Sequence, residues 1–483
     1  MTRSRTRVGV LLAALLSVGW RLRFVFTPIN SDEGGFLAIA RAWRHGSVLY
    51  RDVWVDRPQG LLVVYRLFDM ITGNEDVVRV IALVFGAVAV VAVAIAVRMV
   101  ASPAAAVLAA FFAAILSAAP AIEGYTANGE LLSSSMSAVA VALAVVAIVR
   151  QRSWPWMVAA GAAGALGWSI KQSAVDGLVA IGLWLIVASF VGWLPRRESW
   201  VRLAQLVAGA AAVVAACAVH AALTEWHGWW YAVIGYRAEQ RSAFVGADWK
   251  RLGTTAVDAW PVLLPAAIAA RFGAVLLRRR GTPTGTGLTA MFVMWMAASV
   301  LGFLAGGQFF HHYWVILALP LAALCGVTIG RVDVGKARIV ACYLVAFPAL
   351  WSWSSLVVLS HARVPIAVSN EPRPLQAEVV GHWLRDHTRP GDSVYMMCAA
   401  AHAYAHAHAD PPYRYLWFDG VRQAEGAQAE LERLFTGPDP PTWVAEFDAF
   451  RSCNRSGVVK RAVASRYART ATIAGVRIYR LAG

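Results

Sequence analysis

Residues 8–35 read VGVLLAALLSVGWRLRFVFTPINSDEGG. The stretch 8–26 is almost wholly apolar and close to the ~20 residues that cross a bilayer's hydrocarbon core. A few residues later come two adjacent acids, Asp32 and Glu33, and two glycines. Upstream, Arg3, Arg5 and Arg7 followed by Val8 to Trp20 imitate a secretory signal. The segment has no small-x-small cleavage site and runs into Arg21, which predicts a retained first span rather than a removed leader.

The rest of the chain is built of the same material. Of its 483 residues 59% are hydrophobic and only 15% charged, against roughly 25% charged in an ordinary soluble protein, and the mean hydropathy is +0.55. A soluble fold of this size could not hide so much apolar surface from water. The net charge is +16. The tail from His361 to Gly483 holds 15 Lys/Arg against 12 Asp/Glu, so +13 belongs to the apolar part. A basic chain can bind nucleic acid, but here the arginines cluster in short loops between apolar runs, which is the positive-inside pattern of a membrane protein and calls for no nucleic acid.

Eleven runs qualify as spans: residues 8–26, 77–98, 103–119, 131–149, 154–172, 174–193, 203–222, 256–277, 286–305, 313–330 and 339–360. With the N-terminus in the cytoplasm, the inner loops receive Arg98, Arg150 and Arg152, then Arg196, Arg197 and Arg202, then Arg278, Arg279 and Arg280, and last Arg331, Lys336 and Arg338. The outer loops are then 27–76, 120–130, 223–255 and 306–312. Segment 27–76 carries five basic residues of its own, so the orientation rests on the other loops. Threading eleven spans places the tail outside the cytoplasm. The expected architecture is an α-helical polytopic membrane domain over 1–360 and a small extracytoplasmic α/β domain over 361–483.

In the tail, an amphipathic helix is expected over Leu375–His387, stopping at Pro390-Gly391-Asp392, and a second over Ala427–Leu434. Strands are expected at Ser393–Met397, Tyr413–Phe418, Thr442–Phe447 and Val476–Leu481. Cys398 and Cys453 lie in this polar part, and both a disulfide and two free thiols are compatible with their spacing. His402, His406, His408 and Asp410 have a spacing that suits a metal, but Ala-rich, His-rich stretches also form plain surface helix or loop.

Ionisable residues gather at span ends on the outer face. Asp32 and Glu33 follow the first span, and Phe36 to Trp43 reads as an amphipathic helix lying in the interface and stopped at Gly46. Arg57 precedes Pro58 in the same loop; its planar fork suits a phosphate, while an arginine snorkelling among headgroups is the plainer account. Glu130 opens the fourth span, where a carboxylate also suits a helix N-terminus. Lys171 and Gln172 sit between two apolar runs, and a lysine there is costly without an anionic partner. His311, His312 and Tyr313 lead into the tenth span. Adjacent histidines point in different directions, which disfavours a shared metal and favours contacts to a polar ligand.

The order Asp32-Glu33-Gly34, Val55-Asp56-Arg57-Pro58, Asn128-Gly129-Glu130, Lys171-Gln172 and His312-Tyr313-Trp314 with Leu319-Pro320 resembles the GT-C superfamily of membrane glycosyltransferases. The branch it looks like holds the protein O-mannosyltransferases and the lipid A aminoarabinose transferase. The resemblance covers nearly the whole chain. Where that branch often has Lys-Pro-Pro, this chain has Arg57-Pro58-Gln59: the cation and first proline are kept and the second proline is lost.

The resemblance implies transfer of a sugar from a polyprenyl-phosphate donor to a hydroxyl of an extracytoplasmic glycan, lipid or protein. It also implies Asp32 as catalytic acid by position. An attacking hydroxyl needs a proton acceptor, which is Asp32's expected role, with Glu33 and Glu130 orienting sugar or acceptor. A departing polyprenyl phosphate is a dianion that needs cations: Arg57 and Lys171, with Gln172, His311, His312 and Tyr313 contacting phosphate or sugar. No cofactor or metal is required by this set. A lipid-sugar transporter or flippase is the rival reading. It predicts charges near mid-membrane and broken helices in matched halves. A membrane-anchored binding protein would not need eleven spans.

Overall fold

The computed structural model describes residues 3–150, 154–240, 248–277, 283–332, 335–369, 372–398 and 400–482. Of the arginines in the charge map, Arg152, Arg278, Arg279 and Arg280 lie outside the described residues. The chain divides into two compact units whose segments interleave. One holds residues 1–25, 79–219 and 241–359, and the other 26–78, 220–240 and 360–483.

The first unit is helical. Every apolar run of the sequence forms helix, from Arg3–Leu22 through Val80–Val100, Pro103–Leu116, Gly129–Arg150, Trp154–Ile170 and Asp176–Val191 to Arg196–Thr224, Trp260–Leu277, Pro283–Gly306, Val315–Gly330 and Lys336–Val357. Among the described residues six helices are long and apolar enough to cross a membrane alone, or seven if the pair Trp249–Asp258 and Trp260–Arg271, bent by 80°, is one span. Pro103–Leu116 and Asp176–Val191 are shorter apolar helices. The protein is a multi-pass membrane protein.

Small residues let these helices touch. A Cβ on Gly326 would lie 2.4 Å from the Cβ of Ala109, and one on Gly330 2.5 Å from that of Ala105. Helices Pro103–Leu116 and Val315–Gly330 therefore approach through a small-xxx-small seam on each side, the usual device where lipid removes the hydrophobic drive for association. Two polar groups deep in the bundle are well matched. Asp176 accepts hydrogen bonds from Ser137 Oγ (2.8 Å), Ser299 Oγ (2.9 Å) and Trp295 Nε1 (2.6 Å). Arg21, fully buried, donates to the carbonyls of Gly124 (2.9 Å) and Ser117 (2.7 Å), which ties the loop before Gly129–Arg150 to the first helix.

The second unit is α/β. Its strands β1 (Val394–Met396), β2 (Trp443–Glu446), β3 (Tyr467–Ile473) and β4 (Val476–Leu481) form one sheet in the order β1-β2-β4-β3, with β1 parallel to β2 and the other pairs antiparallel. β3 and β4 join through Ala474 (φ 48°) and Gly475 (φ 83°), the two left-handed residues of a tight hairpin. Helices Arg373–His387 and Ala427–Thr436 form where the sequence pattern puts them. Cys398 and Cys453 are joined in a disulfide.

Three expectations for this unit are corrected. Tyr413–Phe418 is no strand; it makes one isolated bridge, Tyr415 to Trp54. Its aromatic pattern reflects side-chain burial, with the Tyr413 ring 5.9 Å from Tyr395 and Tyr415 5.1 Å from Trp54. The Ala/His stretch is not a surface helix. Ala401–Ala407 is buried throughout, because alanine allows close packing against Ser31–Arg44 and Arg373–His387. Ser31–Arg44 itself does not lie half-exposed in an interface, since Glu33 to Ala42 are all buried. The exposed apolar face belongs instead to Gly60–Ile71, through Val63, Leu67, Met70 and Ile71.

The five basic residues of segment 27–76 are engaged inside this unit. Arg41 and Arg44 bind Asp69 (3.1 and 2.6 Å), and Arg51 binds Asp52 (2.9 Å). Arg57 lies over the Phe36 ring and Arg66 over the Trp43 ring, 5.0 and 4.3 Å from the centroids.

Candidate active site

Asp32 and Glu33 share one helical turn and have different work. Asn30 caps Ser31–Arg44: its Oδ1 accepts from the Glu33 amide (2.9 Å), while its own amide donates to Glu33 Oε2 (3.1 Å). This reciprocal capping box fixes the start of the helix and occupies the fully buried Glu33 carboxylate. Asp32 is not used by the cap. It is half-buried, and its Oδ1 accepts a 3.0 Å hydrogen bond from the Trp417 indole.

The glycines that follow are explained by contact. A Cβ on Gly34 would meet the Cα of His402 at 2.4 Å, and one on Gly35 the Trp417 ring at 2.6 Å. The pair Gly34-Gly35 lets the acid-bearing helix seat directly on Ala401–Ala407 and Trp417. The Phe36 ring packs 5.4 Å from Trp417 and 5.6 Å from Tyr65. Burial pushes the pKa of His402 down to about 4.

Arg57 is buried, 7% exposed, rather than reaching out among headgroups. Its carbonyl accepts from Tyr50 Oη (2.9 Å), Asp56 pairs with Arg237, and Gln59 Oε1 accepts from Trp229 Nε1 (3.0 Å). These contacts anchor the loop around Arg57, and the guanidinium lies over the Phe36 ring.

The remaining predicted residues belong to the first unit. Glu130 is the second residue of Gly129–Arg150, whose start Asn128 caps by accepting from the Leu131 amide (2.8 Å). Glu130 is 1% exposed and ion-paired with Lys171. The Lys171 ammonium also lies 3.7 Å from the Tyr313 ring centroid. His312 presents Nε2 3.7 Å from Glu130 Oε1 and Nδ1 3.0 Å from Glu123 Oε2. Burial works to raise the Glu123 carboxyl, but the His312 hydrogen bond and the charges of His312 and His311 outweigh it and leave it below the ordinary carboxylate range. His311 turns away and pairs with Asp258 (3.0 Å). Gln172 follows Lys171 in the same turn, half-buried.

The structure thus brings together Glu130, Lys171, His312 and Tyr313, with Glu123 as a partner that the sequence reading did not single out. Trp417 was missed as well. An aromatic 385 positions from Asp32 carries no local signal of the contact. His402, His406, His408 and Asp410 do not form one cluster: His406 and His408 both approach Glu75 (4.0 and 2.9 Å), whereas His402 faces the Arg373 carbonyl (3.2 Å) and Asp410 binds His45 (3.0 Å).

The structure matches that of ArnT from Cupriavidus metallidurans bound to undecaprenyl phosphate with a TM-score of 0.67, covering 99% of this chain and 98% of that one at 14% identity. The fold is that of the GT-C membrane glycosyltransferases. A second GT-C structure, the archaeal oligosaccharyltransferase AglB from Archaeoglobus fulgidus in complex with an inhibitory peptide and a dolichol-phosphate, matches with a TM-score of 0.58 and 14% identity, over 96% of this chain and 72% of that one. No protein-family model matches the sequence, and no curated protein does. At these identities the likeness to the GT-C structures is one of fold.

Proposed function

We propose that this protein is a membrane glycosyltransferase that moves a sugar from a polyprenyl-phosphate carrier to a hydroxyl of an extracytoplasmic glycan, lipid or protein. The observation that carries the reading is Asp32. It is a carboxylate left free by its helix cap and aimed by the Trp417 indole, on a chain whose fold matches structures holding undecaprenyl phosphate and dolichol-phosphate over nearly its full length.

The chemistry needs two things. The acceptor hydroxyl must lose a proton as it attacks the anomeric carbon, and Asp32 takes it. The polyprenyl phosphate leaves with its negative charge and needs cations rather than an acid. Arg57 and Lys171 supply that charge, with Gln172, His312 and Tyr313 contacting phosphate or sugar; His311, held by Asp258, is left out of the set. Lys171 is paired with Glu130, so phosphate binding replaces one anion partner by another, and the released Glu130 orients a sugar or acceptor hydroxyl. Glu33 serves through the cap that places Asp32. Attack opposite the departing phosphate inverts the anomeric centre.

The proposed orientation has the N-terminus in the cytoplasm and the tail outside. Exposed Arg98, Arg150, Arg196 and Arg197 at helix ends support it, as does the Cys398–Cys453 disulfide, a bond kept in oxidising compartments.

The test is to incubate purified protein, in vesicles, with a panel of radiolabelled polyprenyl-phosphate sugars and envelope extracts. Label passing to an acceptor with release of polyprenyl phosphate is the expected result. Intact labelled donor crossing the bilayer, without transfer, would make the protein a transporter.

A further inference from the structure

Outside the proposed catalytic set, three side chains from distant parts of the sequence meet inside the second unit. Glu75 lies in the short turn Glu75–Val77, His382 on Arg373–His387, and His406 on Ala401–Ala407. One ligand atom from each lies within 4.8 Å of the others.

His406 is the anomaly that calls for an explanation. It is 1% exposed, and neither of its ring nitrogens has a hydrogen-bond partner. Leaving a buried polar group unsatisfied typically costs about 1–3 kcal/mol, and such groups in native folds usually have a partner. The His406 Nδ1 stands 4.0 Å from Glu75 Oε1, and the His382 ring meets the His406 ring edge-on at 5.2 Å. Gly381 makes the approach feasible, since a Cβ there would lie 2.4 Å from the Cβ of His406.

We propose that Glu75, His382 and His406 form a binding site for a divalent transition-metal ion of the zinc class. Two imidazoles and a carboxylate suit zinc, with bonds of roughly 2.0–2.2 Å that put tetrahedral ligand atoms about 3.4 Å apart. With the ligand atoms now within 4.8 Å of one another, binding would draw them in to that spacing. The fourth position is left for water or His408, whose Nε2 already binds Glu75 Oε2 at 2.9 Å and otherwise orients the carboxylate from outside the ligand set.

The surroundings tolerate a cation. Arg41 and Arg385 approach Glu75 at 3.8 and 3.6 Å, but Arg41 is bound to Asp69, shared with Arg44. Glu378 and Asp76 add negative charge on the His382 side.

The ion's work is structural. It would join the turn at Glu75 to two helices of the tail, and one of these, Ala401–Ala407, is the platform on which Gly34-Gly35 seats the Asp32 helix. The site does not depend on the identity of the sugar or acceptor.

The experiment uses the full chain, purified without a histidine tag, stripped with a chelator and titrated with zinc against a chromophoric competitor, with metal per chain counted by elemental analysis. One equivalent of zinc, bound tightly and raising the melting temperature, is the expected result. His382→Ala, at a half-buried position that tolerates truncation, should weaken zinc binding by more than about 100-fold, because loss of an outer-shell partner alone costs roughly 10–100-fold. Glu75→Gln keeps the size of the side chain and should do the same. His387→Ala, an exposed histidine on the same helix, should bind as the parent does. Absence of zinc binding in the parent chain, or unchanged affinity in His382→Ala and Glu75→Gln, overturns the proposal.

Discussion

The indole nitrogen of Trp417 donates a 3.0 Å hydrogen bond to Asp32 Oδ1. The contact engages one carboxylate oxygen; in the proposed mechanism the other takes the acceptor's proton. Trp417→Phe removes the donor and also the outer edge of the indole that lies against Gly35. A hydrogen bond to a charged group contributes about 1.5–3 kcal/mol. Turnover should fall roughly 10- to 150-fold, with donor affinity close to that of the parent, as steady-state transfer and donor titration at matched folded-protein levels would show.

Gly34→Ala and Gly35→Ala test the seating of the acid-bearing helix. Each added methyl would collide with His402 or Trp417 at 2.4–2.6 Å, and overpacking of this kind typically costs about 1–3 kcal/mol. Both variants should melt at lower temperature than the parent. Unchanged melting curves would mean the two helices do not touch as described.

Lys171 and Glu130 are buried together, with side-chain exposures of 11% and 1%. Removing one partner of a buried pair typically costs about 3–5 kcal/mol, while replacing both by neutral groups of similar size is often neutral. Lys171→Met should therefore destabilise the protein, and Lys171→Met with Glu130→Gln should recover stability. If Lys171 serves the donor phosphate, the double variant stays slow in transfer although it folds. Recovery of both stability and turnover would reduce the pair to a structural bridge.

His402 gives a pH signature. Its folded pKa is pushed down to about 4 by burial, against the opposing hydrogen bond to the Arg373 carbonyl. As pH falls below about 6.5 the unfolded chain takes up the proton first. Stability contributed at neutral pH is then lost progressively between about 6.5 and 4. At pH 5.5 the loss from this residue is about 1.4 kcal/mol. The drop in melting temperature from pH 7.5 to 5.5 should be smaller in His402→Gln, which keeps a donor for the carbonyl and cannot titrate, while buried His406 still contributes its own loss. An equal drop in parent and variant would place the acid sensitivity elsewhere.

Much of this fold could be read from local pattern. Apolar runs near 20 residues announced the helices; Asn30 with Glu33 three residues on is a capping-box pattern that goes unread, so the helix is started at Phe36 rather than Ser31. β1, β2 and β4 alternate or bury in ways a strand must. What escaped reading was decided at a distance. β3, with Arg469, Thr470 and Thr472 exposed along it, is held by its ladder to β4 and has no apolar face to announce it. Ala401–Ala407 looks like surface because alanine and histidine carry no strong apolar signal, yet small side chains are what a tight helix contact requires. Lys171, just past the helix Trp154–Ile170, pairs with Glu130 41 positions earlier, and the sequence supplied only the need for some anion. Trp417 stands in the tail and Asp32 near the start, so nothing short of the folded unit links them.

The most direct test of the account is transfer by Asp32→Asn. The amide keeps the size of the side chain and can still accept the Trp417 hydrogen bond through its oxygen, but it cannot take a proton from the acceptor. Radiolabelled polyprenyl-phosphate sugar is supplied to parent and variant at matched folded-protein levels, and both transfer rate and donor affinity are measured. Loss of general-base help typically costs about 10²–10⁴-fold, so the account predicts a fall of that size in turnover with donor affinity nearly unchanged. Turnover within a factor of about two of the parent would contradict Asp32 as the base, and with it the central claim.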